Sequence, residues 1–504
     1  MSTTAAATTG TYSEVGRPGA YGLRHRCLSS FEVLSQSIAV IAPSASMAAI
    51  IPLVFVSSGP STWLAYLVTG IGLALVALNI NAFAKRSASP GSLYSYTARA
   101  LGTNWGVMVG WGWLVAYICC GVALAGAAAN FMLLLFGSPG GIWPYVAYGV
   151  AVLVPWYIAY RDIRLSAKMM LILEFSSMIL IGIVVLAVFA RSGPAVYAPQ
   201  FTLQGFTFNG LFLGMVLAIF ANIGFESSTA LGEEAKNPLV TIPRAVMGAV
   251  VVAAIFYVLG SLAMIGAFSA SHTTLDGNAN ALLTMSTYVG ASWAAPLLTI
   301  MVLVSSMACT LGSFNAGSRV LFAMGRHGIV HGSMGEAHKD HETPHISVTV
   351  CAAIALVGGW LSMRIWGLGP TDLLNDGGTF SAYGYLVGFV LIAIAAPVYL
   401  KSQKALTPPA LVISALTLIF LLVPIIGQFY PAPTPPTLYF PYVFAAYMAA
   451  GGAWLYIQRR KSNAVVKSIE ADLEDIGVRY GMGKENVIHG SELDGIAEVS
   501  VGAR

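Results

Sequence analysis

Two glutamates stand where charge is expensive. Glu174 and Glu226 each fall inside a run of apolar residues long enough to cross a bilayer, and a carboxylate at that depth costs about 2.5–3.5 kcal/mol on insertion scales. Such a group is retained where it takes up and releases a proton, or where it supports local structure. Glu226 directly follows an Asn-Ile-Gly-Phe interruption, Asn222 to Phe225, where an acid could also stabilise the start of a helix. Glu174 could instead lie near a surface, hydrated or paired with Arg164 or Lys168. Glu32, close to the start of its run, reads as interfacial.

The second chemical resource is the main chain. The stretch "IAPSASMAAIIP", Ile41 to Pro52, is uncharged and lies inside a long apolar run, yet holds two prolines, two serines and four alanines. Pro43 follows the start of that run by about as many residues as Asn222 follows the start of its own. One segment enters the membrane from each side, so the two interruptions are expected at one depth. Paired interruptions at corresponding places in two halves are the sequence pointer to a transporter binding site. A broken helix leaves N–H and C=O groups unpaired. The restarted half, expected near Met47, would offer N–H groups to a carboxylate, and the ended halves would offer carbonyls to an ammonium. The expected cargo contacts are Pro43, Ser44, Ala45, Ser46 and Met47 with Phe220, Ala221, Asn222, Ile223 and Gly224. A simple proline kink is the competing reading for the first of these stretches.

Positioning these groups falls to long helices. The chain of 504 residues is 57% hydrophobic and 9% charged, against about 25% charged in a soluble domain. Twelve apolar stretches are expected to cross the membrane, near 30–56, 62–84, 104–136, 142–160, 165–190, 209–232, 243–269, 293–324, 346–363, 379–400, 408–428 and 437–458; runs of about 20 apolar residues mean helices. With both termini cytoplasmic, every Lys and Arg but Arg191 and Arg364 falls on the inside, as the positive-inside rule requires. Residues 1–27 read as a disordered tail, 28–401 as a transport core of ten helices, 402–460 as two further helices, and 461–504 as a second tail whose stretch Ser468–Met482 has helical spacing.

Other chemistries find little support. None of the eight histidines falls in mid-span, which argues against an intramembrane enzyme. His338, His341 and His345 have a spacing that invites a metal, but they sit in a loop between spans, and no metal or other cofactor is expected. No phosphate-binding Gly-x-x-x-x-Gly-Lys-[Ser/Thr] stretch occurs, so ATP drive is not expected. The cysteines suggest no extracellular disulfide, and the net charge of +4 reflects orientation rather than nucleic acid binding.

Three stretches carry a resemblance. "SPGSLYSYTARALG" (Ser89–Gly102), "GFESSTALGEEAKNPLVTIPRA" (Gly224–Ala245) and "GSRVLFAMGRHGIV" (Gly317–Val330) resemble segments of the amino acid–polyamine–organocation (APC) transporter superfamily. The resemblance covers about residues 28–460. It implies an all-α membrane protein with a five-plus-five inverted repeat of the leucine-transporter type, broken helices 1 and 6, and two added helices. It also implies a gating aromatic at Phe220, a proton-coupling role for Glu226, and a possible sodium site of Ser177, Ser305 and Ser306. Ser177 stands near a place where proton-coupled relatives carry lysine. Pro43 to Met47 departs from the family's Gly-[Ser/Ala/Thr]-Gly at the first break. The implied activity is secondary active import of a small amino acid across the plasma membrane by alternating access, with H+ or Na+. A polyamine or amino-alcohol carrier, and a transporter-like sensor, are the alternatives. The expected partners are that small molecule, the ion and the lipid bilayer, with no nucleic acid.

Overall fold

A computed structural model describes residues 21–275, 281–461 and 463–479. The elements are α1 (Ser30–Ile41), α2 (Pro43–Ala49), α3 (Ile51–Ser58), α4 (Thr62–Ala84), α5 (Leu93–Leu101), α6 (Thr103–Leu135), α7 (Trp143–Arg161), α8 (Ile163–Arg191), α9 (Ala198–Phe201), α10 (Phe208–Phe220), α11 (Pro238–Ala270), α12 (Ala281–Tyr288), α13 (Ala295–Arg326), α14 (His345–Trp366), α15 (Pro370–Ser402), α16 (Pro408–Gly427), α17 (Phe440–Lys461) and α18 (Ala464–Arg479), with short 3-10 turns between some of them. Helical segments overlie every expected crossing. Among the described residues, nine stretches are long and apolar enough to cross a membrane, one of them running from Ile51 through Ala84. The 13-residue α10 is apolar but short. The helices α5 and α12 lie between the expected spans.

The first break has a local cause. Helix α1 begins with a capping box, Ser29 accepting from the Glu32 N–H while Glu32 accepts from the Ser29 N–H at 2.7 Å; this fixes Glu32 as a cap. The helix ends at Ala42, which is left-handed at φ 48°, ψ 61°. That conformation costs a non-glycine residue about 1–2 kcal/mol. Pro43 then opens α2 at its first position, where a missing N–H and a fixed φ are no penalty. The helix therefore restarts at Pro43 and not near Met47, and it steps again at Ile50, with Pro52 in the first turn of α3. In the sixth crossing, α10 stops at Phe220, Ala221 to Glu226 form turns, and the chain resumes as a five-residue 3-10 turn, Ser227–Leu231.

Helices α6, α13 and α15 make the centre. Small residues let them close up: a β-carbon at Gly384 would stand 2.1 Å from the Gly112 carbonyl oxygen, and one at Gly388 would overlap Trp113, the close approach that small residues permit within bilayers. Helices α16 and α17 are peripheral, with 28% and 17% of their most apolar windows buried.

Both ends of the described chain meet on one face, called here the terminal face. Residues 21–27, expected as tail, pack there: Tyr21, Leu23 and Cys27 are buried. Leu28 pairs with Ala235 in an isolated parallel bridge, with Leu28 N–H donating to Glu234 O at 2.8 Å and Lys236 N–H to Leu28 O at 3.0 Å. Residues 1–20, 462 and 480–504 of the expected tails lie outside the described residues.

Candidate functional site

The two breaks abut. Gly224 has φ 104°, and a β-carbon on it would stand 2.3 Å from Val40 Cγ1, so only glycine suits this position. Ser227 Oγ donates to Gln36 O at 3.2 Å, and the Ser228 N–H donates to Ser37 Oγ at 3.2 Å. The main-chain carbonyls exposed by the breaks are covered by side-chain donors. Cys309 Sγ donates to Val40 O at 3.1 Å, Ser46 Oγ to Ile41 O at 3.2 Å, and Tyr257 Oη to Ala221 O at 2.8 Å. The expectation of bare carbonyls is corrected accordingly: buried carbonyls find partners, here from α13, α2 and α11.

Between the breaks lies a cavity of about 30 Å³, room for about two waters. Its walls include Ala45 and Ser46 from α2, Phe220 and Ile223 from the sixth crossing, Cys120 and Phe131 from α6, and Ser381 from α15. No charged side chain is among its lining residues. Phe220 and Ile223 also line a larger space of about 330 Å³, walled further by Leu53, Asn375, Thr379 and Gln428. Ala49, Ile50, Phe131 and Leu374 are likewise shared between the small cavity and one of about 160 Å³. These spaces extend away from the terminal face. Phe220 stands between the small cavity and the larger one, its ring against Gly378, where a β-carbon would be 2.2 Å from Cζ.

The remaining expected contacts do not line that cavity. Ser44 Oγ bonds Ser177 Oγ at 2.7 Å. Met47 packs against Gly260 of α11, leaving 2.9 Å to a β-carbon there. Asn222 Nδ2 donates to Ala218 O at 2.8 Å, satisfying its own helix end. Pro43, Ala221 and Gly224 shape the breaks. The residues that sequence reasoning did not reach, Cys120, Leu124, Ala127 and Phe131 on α6 and Leu374 and Ser381 on α15, come from helices without any interruption to draw attention to them.

The two acids are both fully buried and sit on opposite sides of the break. Glu226 Oε1 accepts from Tyr117 Oη at 3.1 Å, under an aromatic group of Trp113, Tyr117 and Tyr385. Glu174 Oε1 accepts from Ser305 Oγ at 3.0 Å, rather than pairing with Arg164 or Lys168. The Ser44 N–H and hydroxyl also lie beside it, and Ser177 Oγ donates to the Glu174 carbonyl at 2.7 Å. In each acid the second oxygen, Oε2, has no protein partner. Glu174, Ser177, Ser305 and Ser44 are thus brought together from three helices. Ser306 stands apart, donating to Val302 O of its own helix at 2.9 Å.

On the terminal side the way is shut. Arg319 of α13 binds Glu234 Oε1 through Nε at 2.8 Å and Nη2 at 2.6 Å, both residues buried. Gln36 Nε2 donates to Gly312 O at 2.8 Å. His338, His341 and His345 gather around Tyr160; among the described residues no group of three or more His, Cys, Asp or Glu could hold a metal.

Broken helices meeting at a small cavity, with buried acids beside them, are the arrangement of a membrane transporter. The family described as amino acid permease matches residues 32–467, and the chain belongs to it. That family is one of transporters, not enzymes. The chain is similar to the branched-chain amino acid permease BcaP of Bacillus subtilis (strain 168), 27% identical over 73% of this chain and 80% of the relative. It is similar to the methylthioribose transporter of the same organism, 22% identical over 75% and 82%, and to its serine/threonine exchanger SteT, 25% identical over 58% and 67%.

Proposed function

We propose that this protein imports a small neutral amino acid across the plasma membrane by alternating access, as a secondary transporter of twelve helices in a five-plus-five inverted repeat. The terminal face is then cytoplasmic, which agrees with where Lys and Arg concentrate. The observation that carries the reading is the contact between the two helix breaks over a small cavity whose lining residues are shared with larger spaces away from the terminal face. Cargo would displace the Cys309 thiol and the Ser46 and Tyr257 hydroxyls from the break carbonyls, exchanging them for an ammonium. The thiol is a weak donor and the easiest to displace.

The cavity walls favour an aliphatic or small hydroxyl side chain over a cation. No acid is among the residues lining the cavity to receive a distal amine, and two of the relatives are named for branched-chain amino acids and for serine and threonine, whose side chains are of these kinds. An ionised carboxylate so poorly partnered is costly in this setting, so Glu226 and Glu174 act with a proton or cation that neutralises them. Proton coupling at Glu226 is the reading preferred. A cation at the Glu174, Ser177 and Ser305 cluster is the second, favoured by the convergence of three oxygen-bearing side chains at one point.

The test is uptake by purified protein in liposomes under imposed proton or sodium gradients, with labelled leucine, valine, serine, lysine and putrescine. Accumulation of the neutral compounds driven by a proton gradient is expected. Accumulation of putrescine or lysine alone would replace the cargo assignment, and binding without accumulation would make the protein a sensor.

A further inference from the structure

Helix α18 is bound across the terminal face. Its apolar stripe, Val466, Ile469, Leu473 and Ile476, follows helical spacing and is buried, as is Asp472. Asp472 Oδ1 accepts from Tyr21 Oη at 2.7 Å, and its Oδ2 lies 3.2 Å from His327 Nε2 at the end of α13. His327 Nδ1 is in turn 2.6 Å from Tyr94 Oη of α5. Arg99 of α5 donates to the Leu473 carbonyl at 2.6 Å. Arg479 reaches Glu233 Oε2 at 2.7 Å, and the other oxygen of Glu233 is 3.1 Å from His25. One helix therefore ties the segment leading into α1, the 3-10 continuation of the sixth crossing, α5 and the end of α13.

These ties cross the partition where movement is needed. For cargo to leave toward the terminal face, the lower parts of the first and sixth crossings must separate from α13 and α5. Glu233 belongs to the first group and His327, Tyr94 and Arg99 to the second; Tyr21, on the segment leading into α1, itself packs on Phe322 and Arg326 of α13. A helix bonded to both groups has its contacts only while that side is closed, and a segment binding one of two states favours that state by its differential affinity. We propose that α18 is a built-in latch that holds the terminal-side gate shut, so that detaching it speeds the opening step. This rests on the transporter reading for its effect on uptake, but its effect on gate opening is measurable without cargo.

The experiment uses the full chain carrying Asp472→Ala and Arg479→Ala together, with Lys467→Ala, an exposed position on the same helix, as control. Two readouts are taken in liposomes: initial uptake under saturating gradient, and alkylation of the native Cys27, buried beside the Leu28 bridge, by a maleimide supplied on the terminal side. The latch predicts both rates rising about fivefold or more in the double variant, within the usual range of coupling between two sites, and neither changing in the control. Unchanged Cys27 alkylation with the helix shown to be detached by proteolysis near residue 463 would overturn the latch. So would slower uptake at unchanged thermal stability, which would make α18 a support for the conducting form. Faster alkylation in a protein that transports none of the compounds would uphold the latch and remove the transport reading.

Discussion

Gly224 rests on Val40 so closely that the two helix breaks share one contact, with 2.3 Å between Val40 Cγ1 and the point where a β-carbon on Gly224 would lie. The relationship couples the two crossings mechanically, since neither can change its bend without moving the other. Gly224→Ala must both adopt a positive φ and displace Val40. Overpacking of this kind costs about 1–3 kcal/mol. The expected outcome is a folded protein with lowered thermal stability and uptake reduced to background, checked by a detergent melting curve alongside liposome uptake. Val40→Ala on the Gly224→Ala background relieves the clash and should recover part of the stability.

The acids separate by chemistry. Glu226→Gln keeps the shape and the Tyr117 contact but cannot carry a proton through the cycle. Accumulation against a gradient should fall to the equilibrium level, while exchange of internal for external cargo persists in part. Tyr117→Phe leaves the acid in place without its side-chain donor and should reduce the rate while preserving accumulation. Glu174→Gln distinguishes the second reading: if the Ser305 cluster holds the coupling ion, this variant and not Glu226→Gln abolishes ion dependence. Unchanged accumulation in Glu226→Gln removes that residue from coupling.

Much of this arrangement could be read from residue order, and the reasons differ by element. The breaks were legible because Pro43 and the Asn222 to Phe225 interruption violate the rules of a continuous helix, and violations are visible in one dimension. Their exact contents were less so. Ala42, the residue that takes the left-handed turn, has no sequence mark, and the restart at Pro43 followed from the preference of proline for a first helical turn. The α6 and α15 walls were invisible because a pocket-lining face and a packing face look alike along an apolar helix. The docking of residues 21–28 and α18 was hidden for another reason. It depends on single long-range pairs, Tyr21 with Asp472 and Arg479 with Glu233, that no local pattern announces.

Cys120 gives a handle on the cavity. It lines the site, and its sulfur lies 4.0 Å from Cys309. A small thiol reagent reaching it from the side opposite the terminal face should stop uptake, because the added group fills a space of about 30 Å³. Cargo at saturating concentration should slow the reaction, and Cys120→Ser should make uptake resistant. Mass spectrometry of the labelled peptide against residual uptake checks both. Inhibition that survives in Cys120→Ser would place the reactive thiol elsewhere.

Acid should release α18 through Asp472. Burial alone pushes this carboxyl up, but the His327 hydrogen bond and charge, the Tyr21 hydrogen bond and the Arg326 charge outweigh it and hold it below the ordinary aspartate value of 3.8. Tyr94, Arg99, Arg479 and Glu233 are further titratable or charged groups of this cluster. A group depressed in the docked state contributes to docking above its free value and loses that contribution as pH falls through the docked value. The Asp472 part of the docking is therefore present above the ordinary aspartate range and is lost as pH falls below it. A spin label at the exposed Lys467 reports the docking by its mobility. The difference in mobility between the otherwise native chain and Asp472→Asn should close as pH falls below the ordinary aspartate range. A difference that closed well above the ordinary aspartate range would mean that Asp472 is not held ionised by His327, Tyr21 and Arg326, and that docking depends on the apolar stripe instead.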